Sequence, residues 1–374
     1  MNKFVITLCS ALLAACSGEG GPPPSSQSSS VHGVTQAVQT PPPPGWQFPY
    51  QPNPFVVPTC ASDPCSPQLD PSSASEVSEL MNGSFSMAQI QEAEPGTNGQ
   101  GDADTDPIYY ATQNDPTYAV TCSQFGGCGF LGGVSIHIPN GARASIDVDH
   151  HATVIELWAG TEYDFWEFND YGTGKGTTTP VHGGGALSVG FSNLCTTDSL
   201  KNQGHCAGSA IESRVPMQPG MLDPREIVAG KITQTVYVTV SCPSPKYVWP
   251  AAGSNGTCPS GPEYGERIWL DLTDAAIDAL PDHAWAKTLL HQMHDYGLML
   301  ATRTGGGPPM VGPWAFVGLD NATFTIVGLQ PAWNAFFAEV EKEGDGNKIS
   351  WGDNASHLLI PTTGITQSNI HIVE

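Results

Sequence analysis

Acidic residues and histidines are densest in the segment 144–158, ASIDVDHHATVIELW. Alternate side chains of a β-strand share a face, so a strand through 144–151 would place Asp147, Asp149 and His151 in one row. Neighbours in such a row lie about 7 Å apart, and carboxylates beside an imidazole can act as general acid and base or bind a hard cation. The segment is therefore predicted to be a strand that carries a functional site.

Aromatic residues and further acids follow this segment and give it the composition of a sugar-binding groove. Aromatic rings stack on the CH surfaces of sugars, while carboxylates bond hydroxyl groups or protonate a glycosidic oxygen. The alternative is a half-buried sandwich whose outer face is acidic because the whole chain is acidic. The residues concerned are Glu156, Trp158, Tyr163, Asp164, Phe165, Trp166 and Glu167.

The order of short motifs over about residues 145–300 resembles a family of secreted bacterial and fungal proteins without an assigned activity. The motifs are Asp149-His150-His151, Glu156, Tyr163-Asp164, Gly185-Ala186, PMQPGMLDPREI with Glu226, YVWPA with Trp249, PEYGERIWL and Tyr296-Gly297. The resemblance implies that the acids at these positions recur in the family, but it supplies no reaction. One position departs from the pattern: Gln234 stands where the family carries a histidine in a strand, so no role of that histidine is transferred.

The leading hypothesis is a glycan-cleaving enzyme in which Asp149 or Glu226 is the general acid or base and His151 shares or orients the proton. The alternative is a non-catalytic module that binds a glycan or an envelope partner, and a purely structural envelope protein is a third reading. The predicted catalytic residues are Asp149, His151, Glu156, Asp164 and Glu226, and the predicted substrate-binding residues are Tyr163, Trp166 and Trp249.

Metal binding is expected, if at all, at two acidic segments that match calcium-binding loops only in part. GDADTDP has a proline where the loop needs a turn glycine, and EGDGNKISWGD is one residue short of an EF-hand loop. Their candidate ligands are Asp102, Asp104, Asp106, Asp345, Asn347 and Asp353. No other cofactor is expected.

The N-terminus has the features of a bacterial lipoprotein. Lys3 precedes a short apolar run, and Leu13-Ala14-Ala15-Cys16 resembles a lipobox, which predicts cleavage before Cys16 and lipidation of its thiol. Ser17 favours the outer membrane, by analogy with that class. The protein is thus expected in the cell envelope, facing the periplasm or the exterior, with a lipid anchor as its only membrane attachment.

Cysteine spacing and charge agree with export. Neighbouring cysteines predict four bridges: Cys60–Cys65, Cys122–Cys128, Cys195–Cys206 and Cys242–Cys258, although sequence alone leaves other pairings open. A net charge of −23 argues against nucleic acid and anionic polysaccharides as partners. An extracellular glycan and a monomeric state are expected.

Four regions are predicted along the chain: a signal peptide at 1–15, a Pro- and Ser-rich tether at 16–58, a partly irregular extension at 59–120 and a β-rich domain at 121–374. Alternating apolar segments separated by glycine-rich turns predict an antiparallel β-sandwich or jelly roll with about two peripheral helices. The helices are expected at 282–296 and 331–343. In the first, His283, His291 and His294 are predicted to face solvent, opposite an apolar stripe that contains Trp285 and Met293.

Overall fold

The computed structural model describes residues 42–81, 89–93, 105–128, 130, 134–146, 149–303, 314–320, 335–336, 338, 348–351, 355–359 and 365–373. The predicted signal peptide, Cys16 and most of the predicted tether lie outside these residues. So do the calcium candidates Asp102, Asp104, Asp345, Asn347 and Asp353. Among the residues described, no helix is long and apolar enough to cross a membrane.

The secondary structure is mainly β, as the alternating segments predict. The strands are β1 (Gln89–Ala93), β2 (Thr105–Asp106), β3 (Ile108–Ala111), β4 (Thr117–Cys122), β5 (Ser135–His137), β6 (Ala152–Glu156), β7 (Thr161–Trp166), β8 (Gly185–Val189), β9 (Phe191–Thr196), β10 (Ala207–Gly208), β11 (Val236–Val240), β12 (Arg267–Leu270), β13 (Leu298–Arg303), β14 (Trp314–Phe316), β15 (Gly318–Leu319), β16 (Lys348–Trp351), β17 (Ala355–Leu359) and β18 (Ile370–Val373). The helices are α1 (Ser73–Leu80), α2 (Pro224–Ala229), α3 (Asp274–Asp278) and α4 (Ala284–Asp295).

The strands form several stacked sheets in which parallel and antiparallel pairs are mixed. The order is β16-β17-β1-β14-β11-β13-β12-β18 in an eight-stranded sheet, β10-β9-β7-β6-β3 in a five-stranded sheet and β5-β4-β8 in a three-stranded sheet, while β15 pairs with β2. The pairs β1–β14, β11–β13, β3–β6 and β4–β8 are parallel, whereas an antiparallel sandwich was predicted. Each of these pairs joins segments that are distant in sequence, so local alternation carries no information about their direction.

The five-stranded sheet has apolar core on both faces. Ile108 and Ile155 belong to a core cluster shared with α4 and the eight-stranded sheet, whereas their neighbours Tyr109 and Val154 pack with the three-stranded sheet. All of β6 and nearly all of β7 are consequently buried. A polar side chain on β7 is therefore inside the protein, whichever face it occupies.

The strand predicted through 144–151 is wrong, because the regular strand begins only at Ala152. His150 has a φ of +49°, in the left-handed region, which breaks an extended run. Asp147 and Val148 lie outside the described residues. The next two strands, β6 and β7, are antiparallel neighbours joined by a short turn.

Helix α4 confirms the first predicted helix, including the end at Gly297, whose φ is +72°. The apolar stripe is buried as predicted, but the exposure predicted for His294 is wrong, since only 2 % of this side chain is exposed. Trp269 and Leu270 of β12 cover His294. The Trp269 indole donates to the backbone oxygen of His294, and His294 Nδ1 contacts Leu270 O. Of the predicted helix 331–343, residues 335, 336 and 338 are described, and these are helical.

The four predicted disulfide bridges are all present, with Cα–Cα separations from 4.6 to 5.7 Å. Each closes a loop of local sequence, as adjacency in the chain predicts. They pin short segments to the sheets and leave the core to apolar packing.

The end of the predicted tether, residues 42–58, packs against the fold. Phe48, Tyr50 and Phe55 are buried in the core cluster that contains α4. Tyr50 also donates a hydrogen bond to Glu162 of β7, with an O–O distance of 2.7 Å. The folded unit therefore includes residues upstream of position 58, in agreement with one unit spanning 38–374.

Candidate functional site

The end of β7 places Trp166 beside a carboxylate at the protein surface. After Trp166 the chain turns at Glu167, whose φ is +52°. The Glu167 and Phe168 amides donate to the carbonyl oxygens of Asp149 and His150, which fixes the loop before β6 against this turn. The Trp166 indole nitrogen then donates to Asp149 Oδ1 at 3.0 Å.

A loop closed by a disulfide presents an exposed phenylalanine next to this tryptophan. Cys122 and Cys128 close the loop, and the amides of Ser123 and Gln124 bond to Val189 and Gly190. Phe125, at the tip of the loop, is 78 % exposed, which is unusual for an aromatic side chain held on a short closed loop.

Three aromatic rings meet at this point. The Phe125 ring lies 6.0 Å from the Trp166 ring at an interplanar angle of 31°, and 5.8 Å from Phe191 in an edge-to-face arrangement. Trp166 and Phe191 are direct partners in the β7–β9 pairing, so the sheet fixes two of the three rings. We call Phe125, Trp166, Phe191, Asp149 and Glu167 together the Trp166 face.

Glu167, which follows Trp166 in the chain, has an unmet hydrogen-bonding atom. Its Oε2 is buried and has no hydrogen-bond partner within the described part of the chain. Burial raises the pKa of Glu167 above its usual value, and the charges of Asp170 and Asp149 add to this effect. A Cβ at position 190 would lie 2.6 Å from this Oε2 and 2.8 Å from the Trp166 ring, so the glycine there allows the close packing.

A second acid pair on β7 lies inside the fold. Glu162 and Asp164 are two residues apart, share one face of the strand and are both completely buried. Glu162 accepts hydrogen bonds from the Tyr50 hydroxyl and the Gln218 amide, both at 2.7 Å. Asp164 accepts from the Thr153 hydroxyl at 2.8 Å and the Met217 amide at 3.3 Å.

Burial dominates the ionisation of this inner pair. It raises the pKa of Glu162 well above its usual range, and the neighbouring Asp164 charge raises it further. It also raises the pKa of Asp164 to about 6, against the hydrogen bonds that favour the charged form. Burial therefore favours the protonated form of these carboxyl groups, and the pair lies in the core, out of reach of a substrate. Asp164, predicted to be catalytic, occupies a structural position.

Glu226 lies under the N-terminal segment. It is 3 % exposed and accepts a 2.6 Å hydrogen bond from Gln234 Nε2, and burial raises its pKa to about 7. The adjoining cavity of about 20 Å³, bounded by Gly45 and Trp46, has room for little more than one water molecule. The structure thus joins Glu226 to Gln234, the position that departs from the family motif, and brings neither to Asp149.

Glu156 contacts His137, whereas His151 lies beside the Phe165 backbone and is close enough to Asp106 to affect its pKa. Glu156 is buried and accepts from the His137 amide at 2.8 Å, and its Oε1 lies 2.8 Å from His137 Nδ1. His151 Nδ1 lies 3.2 Å from the backbone oxygen of Phe165. Asp106, the one calcium candidate of its segment among the described residues, is buried, which raises its pKa to about 6 against the opposing effect of His151.

The predicted substrate-binding residues Tyr163 and Trp249 lie in different parts of the structure. Tyr163 is 5 % exposed and packs in the core between the five- and three-stranded sheets. Trp249 is 37 % exposed and lines a groove of about 560 Å³ with Asn53 and Arg267. The guanidinium group of Arg267 donates to the backbone oxygens of Pro54, Val57 and Tyr296, so both of its terminal nitrogens are engaged within the protein.

Of the residues predicted from sequence, the structure thus brings Asp149 and Trp166 together. It adds Phe125 and Phe191, which sequence reasoning missed, and the buried Glu167 oxygen. An aromatic residue within the Cys122–Cys128 loop was the available signal for Phe125. No family model, curated protein or solved structure matches this chain, so the resemblance to a secreted family stays a prediction.

Proposed function

We propose that this chain is a glycan-binding protein of the bacterial envelope and that the Trp166 face is its binding surface. The observation that supports this most is the exposed Phe125 ring beside Trp166, held by a disulfide-closed loop and a β-strand. Rigid rings at a surface lose little conformational entropy on binding, which favours recognition over a role in folding.

The chemistry of the face matches a sugar better than an apolar ligand. The rings of Phe125 and Trp166 offer apolar surface for the CH side of a pyranose ring. Asp149, which accepts from the Trp166 indole, places an exposed carboxylate beside these rings, where hydroxyl groups need hydrogen-bond partners. The net charge of −23 favours a neutral or amine-bearing glycan over an anionic one.

The location follows from the N-terminal motif and not from the fold. Lipidation of Cys16 would hold the protein on the membrane, and the segment up to about residue 41 would separate the folded part from the lipid. The four disulfides agree with an oxidising compartment outside the cytoplasm. A glycan of the envelope or of the surroundings is the ligand such a location offers.

Glycoside hydrolysis at the same face is the second candidate, and Glu167 favours it. A carboxyl group with a raised pKa beside a second carboxylate is the arrangement of a general acid and its partner. Glu167 would protonate the glycosidic oxygen, and Asp149 would act as nucleophile or base. Release of reducing ends by the wild-type protein, lost in Glu167→Gln, distinguishes this candidate from binding alone.

The proposal is tested by measuring the affinity of the purified protein for a panel of neutral and amine-bearing oligosaccharides. Trp166→Ala and Phe125→Ala are each expected to weaken binding at least about tenfold, since a stacked aromatic residue contributes on the order of 2 kcal/mol. Trp158→Ala is the matched control, because Trp158 is also partly exposed and lies at the other end of the same hairpin. Equal losses in Trp158→Ala and Trp166→Ala, or no binding by any glycan in the panel, would remove the proposal.

A further inference from the structure

A cluster of metal-ligating side chains lies at the corner between α3 and α4, built from residues that the Trp166 face does not use. Asp274 begins α3, and His294 and Asp295 end α4. One ligand atom of each residue lies within 4.8 Å of the other two. Two carboxylates and one imidazole at such separations can converge on a single ion.

The imidazole of His294 presents a nitrogen that suits a metal. Its Nδ1 lies 3.1 Å from the backbone oxygen of Leu270, which only accepts hydrogen bonds, so Nδ1 carries the proton. In the neutral ring Nε2 therefore has a free lone pair. Its neighbour at 3.3 Å is Cys60 Sγ, which is bonded to Cys65 and has no proton to donate. Within the described chain, this nearly fully buried nitrogen thus has no donor.

A cavity of about 300 Å³ opens beside the two carboxylates of the cluster, and His294 is not one of its lining residues. Asp274, Asp295 and Gln292 all line it. Gln292 is 1 % exposed; its Nε2 donates to two backbone oxygens, but its Oε1 has no partner among the residues that the structure describes. Buried polar atoms are nearly always hydrogen-bonded, so this amide oxygen is an unsatisfied polar atom within a residue of the cavity wall.

The surroundings position the carboxylates and leave them with excess negative charge. His291 Nδ1 contacts Asp274 Oδ1 at 2.9 Å, while its Nε2 faces Asp278 at 3.1 Å, so it orients the first carboxylate from outside the cluster. The Asp274 amide donates to Asp63, which adds a fourth acid to the corner. Lys231 is the cation that lines the cavity among the described residues.

We propose that Asp274, His294 and Asp295 form a binding site for a divalent transition-metal ion of the zinc type. An imidazole with two carboxylates selects such an ion over calcium, which prefers six or more oxygen ligands. Three protein ligands leave one position of a tetrahedral ion for water, and the cavity beside Gln292 provides room for it. His291 supplies the outer hydrogen bond that metal-binding carboxylates require.

The test is calorimetric titration of the purified full-length protein, stripped with a chelator, with Zn²⁺ and separately with Ca²⁺. Reductant is left out, so that the Cys60–Cys65 bridge supplies no thiolate. The wild type is expected to bind one equivalent of Zn²⁺ more tightly than Ca²⁺. Asp274→Asn and Asp295→Asn are each expected to weaken Zn²⁺ binding at least about tenfold.

Asp278→Asn is the matched control, since it removes the same charge from the same helix but lies on the far side of His291. It should change the affinity less than threefold. His294→Asn, which can retain a donor to Leu270 O while losing Nε2, should abolish binding, and an unchanged circular dichroism spectrum would show that it folds. No saturable Zn²⁺ binding, tighter binding of Ca²⁺, or equal affinities in Asp278→Asn and Asp295→Asn would overturn the site.

Discussion

Strand β7 carries one acid pair inside the protein and leads to another at the surface. Glu162 and Asp164 are enclosed by donors from the N-terminal segment, from Thr153 and from the 217–218 backbone. Asp149 and Glu167 instead border exposed rings, and one oxygen of Glu167 has no partner in the described chain. Both pairs contain a carboxyl group with a raised pKa, so that shift alone does not separate a structural pair from a functional one.

Hydrogen-bond satisfaction and access separate the two pairs. An acid whose acceptors are all matched by fixed donors contributes to one native conformation. An exposed acid beside aromatic rings, such as Asp149, is accessible to a ligand. The inner pair is therefore expected to control stability, and the outer pair to control binding.

The largest expected effect is on stability and comes from the inner pair. Asp164→Ala leaves the Thr153 hydroxyl and the Met217 amide without their acceptor in the core, which should lower the free energy of unfolding by about 3 kcal/mol. Asp149→Ala, the same substitution at the exposed acid, should change it by less than about 0.5 kcal/mol. Urea denaturation of both variants measures the difference, and equal losses would contradict the distinction.

The pH dependence of stability also distinguishes the inner acid pair from the outer one. The pKa of Asp164 rises from 3.8 to about 6 on folding, so between these values the native state holds a proton that the unfolded state has released. The stabilisation that this bound proton provides is complete below 3.8, the pKa of Asp164 in the unfolded state, and is lost as the pH rises through about 6. The free energy of unfolding should fall by about 2 kcal/mol from this group between pH 4 and pH 7.

Asp164→Asn should make that decline shallower, because the amide can bond Thr153 and Met217 without titrating. Asp106 and Glu226, whose pKa values are also raised by burial, maintain part of the slope in the variant. Denaturation at a series of pH values compares the two slopes. A slope identical to that of the wild type would show that Asp164 titrates normally in the native state.

The smallest effect is expected for the outer pair, on binding and not on stability. Asp149→Asn keeps an acceptor for the Trp166 indole but loses the charge, so glycan affinity should fall about three- to tenfold, or roughly 1 kcal/mol. The unfolding free energy should stay within about 0.5 kcal/mol of the wild type. Paired affinity and denaturation measurements on one preparation test both parts, and a loss of stability that accounts for the loss of affinity would refute this assignment.

Local sequence patterns predict those parts of the fold that depend on neighbouring residues. The β6–β7 hairpin, helix α4 with its end at Gly297 and the four disulfides all follow from periodicity or adjacency. The parallel pairing of β3 with β6 does not, because it joins segments separated by some forty residues. The packing of Phe48 and Tyr50 in the core also could not be predicted, because both residues lie in a proline-rich segment.

The same limit explains where the structure places the predicted site residues. A prediction from strand alternation assumes that one face of the sheet is exposed to solvent and the other is buried. Both faces of the five-stranded sheet are buried, so Tyr163 and Asp164 are buried as well. Trp166 and Asp149 meet because β7 ends there, a contact that strand alternation alone does not predict. The burial of His294 depends on β12, which a helical projection does not include.

The most direct test of the central claim is the location of a bound glycan. Amide hydrogen exchange of the full-length protein, with and without the tightest oligosaccharide from the panel, measures which segments become protected. Binding at the Trp166 face should protect 123–127, 149–151 and 166–168 and slow exchange at 190–191. Protection confined to the groove beside Trp249, at 52–59 and 247–250, would place the binding surface elsewhere and contradict the role of the Trp166 face.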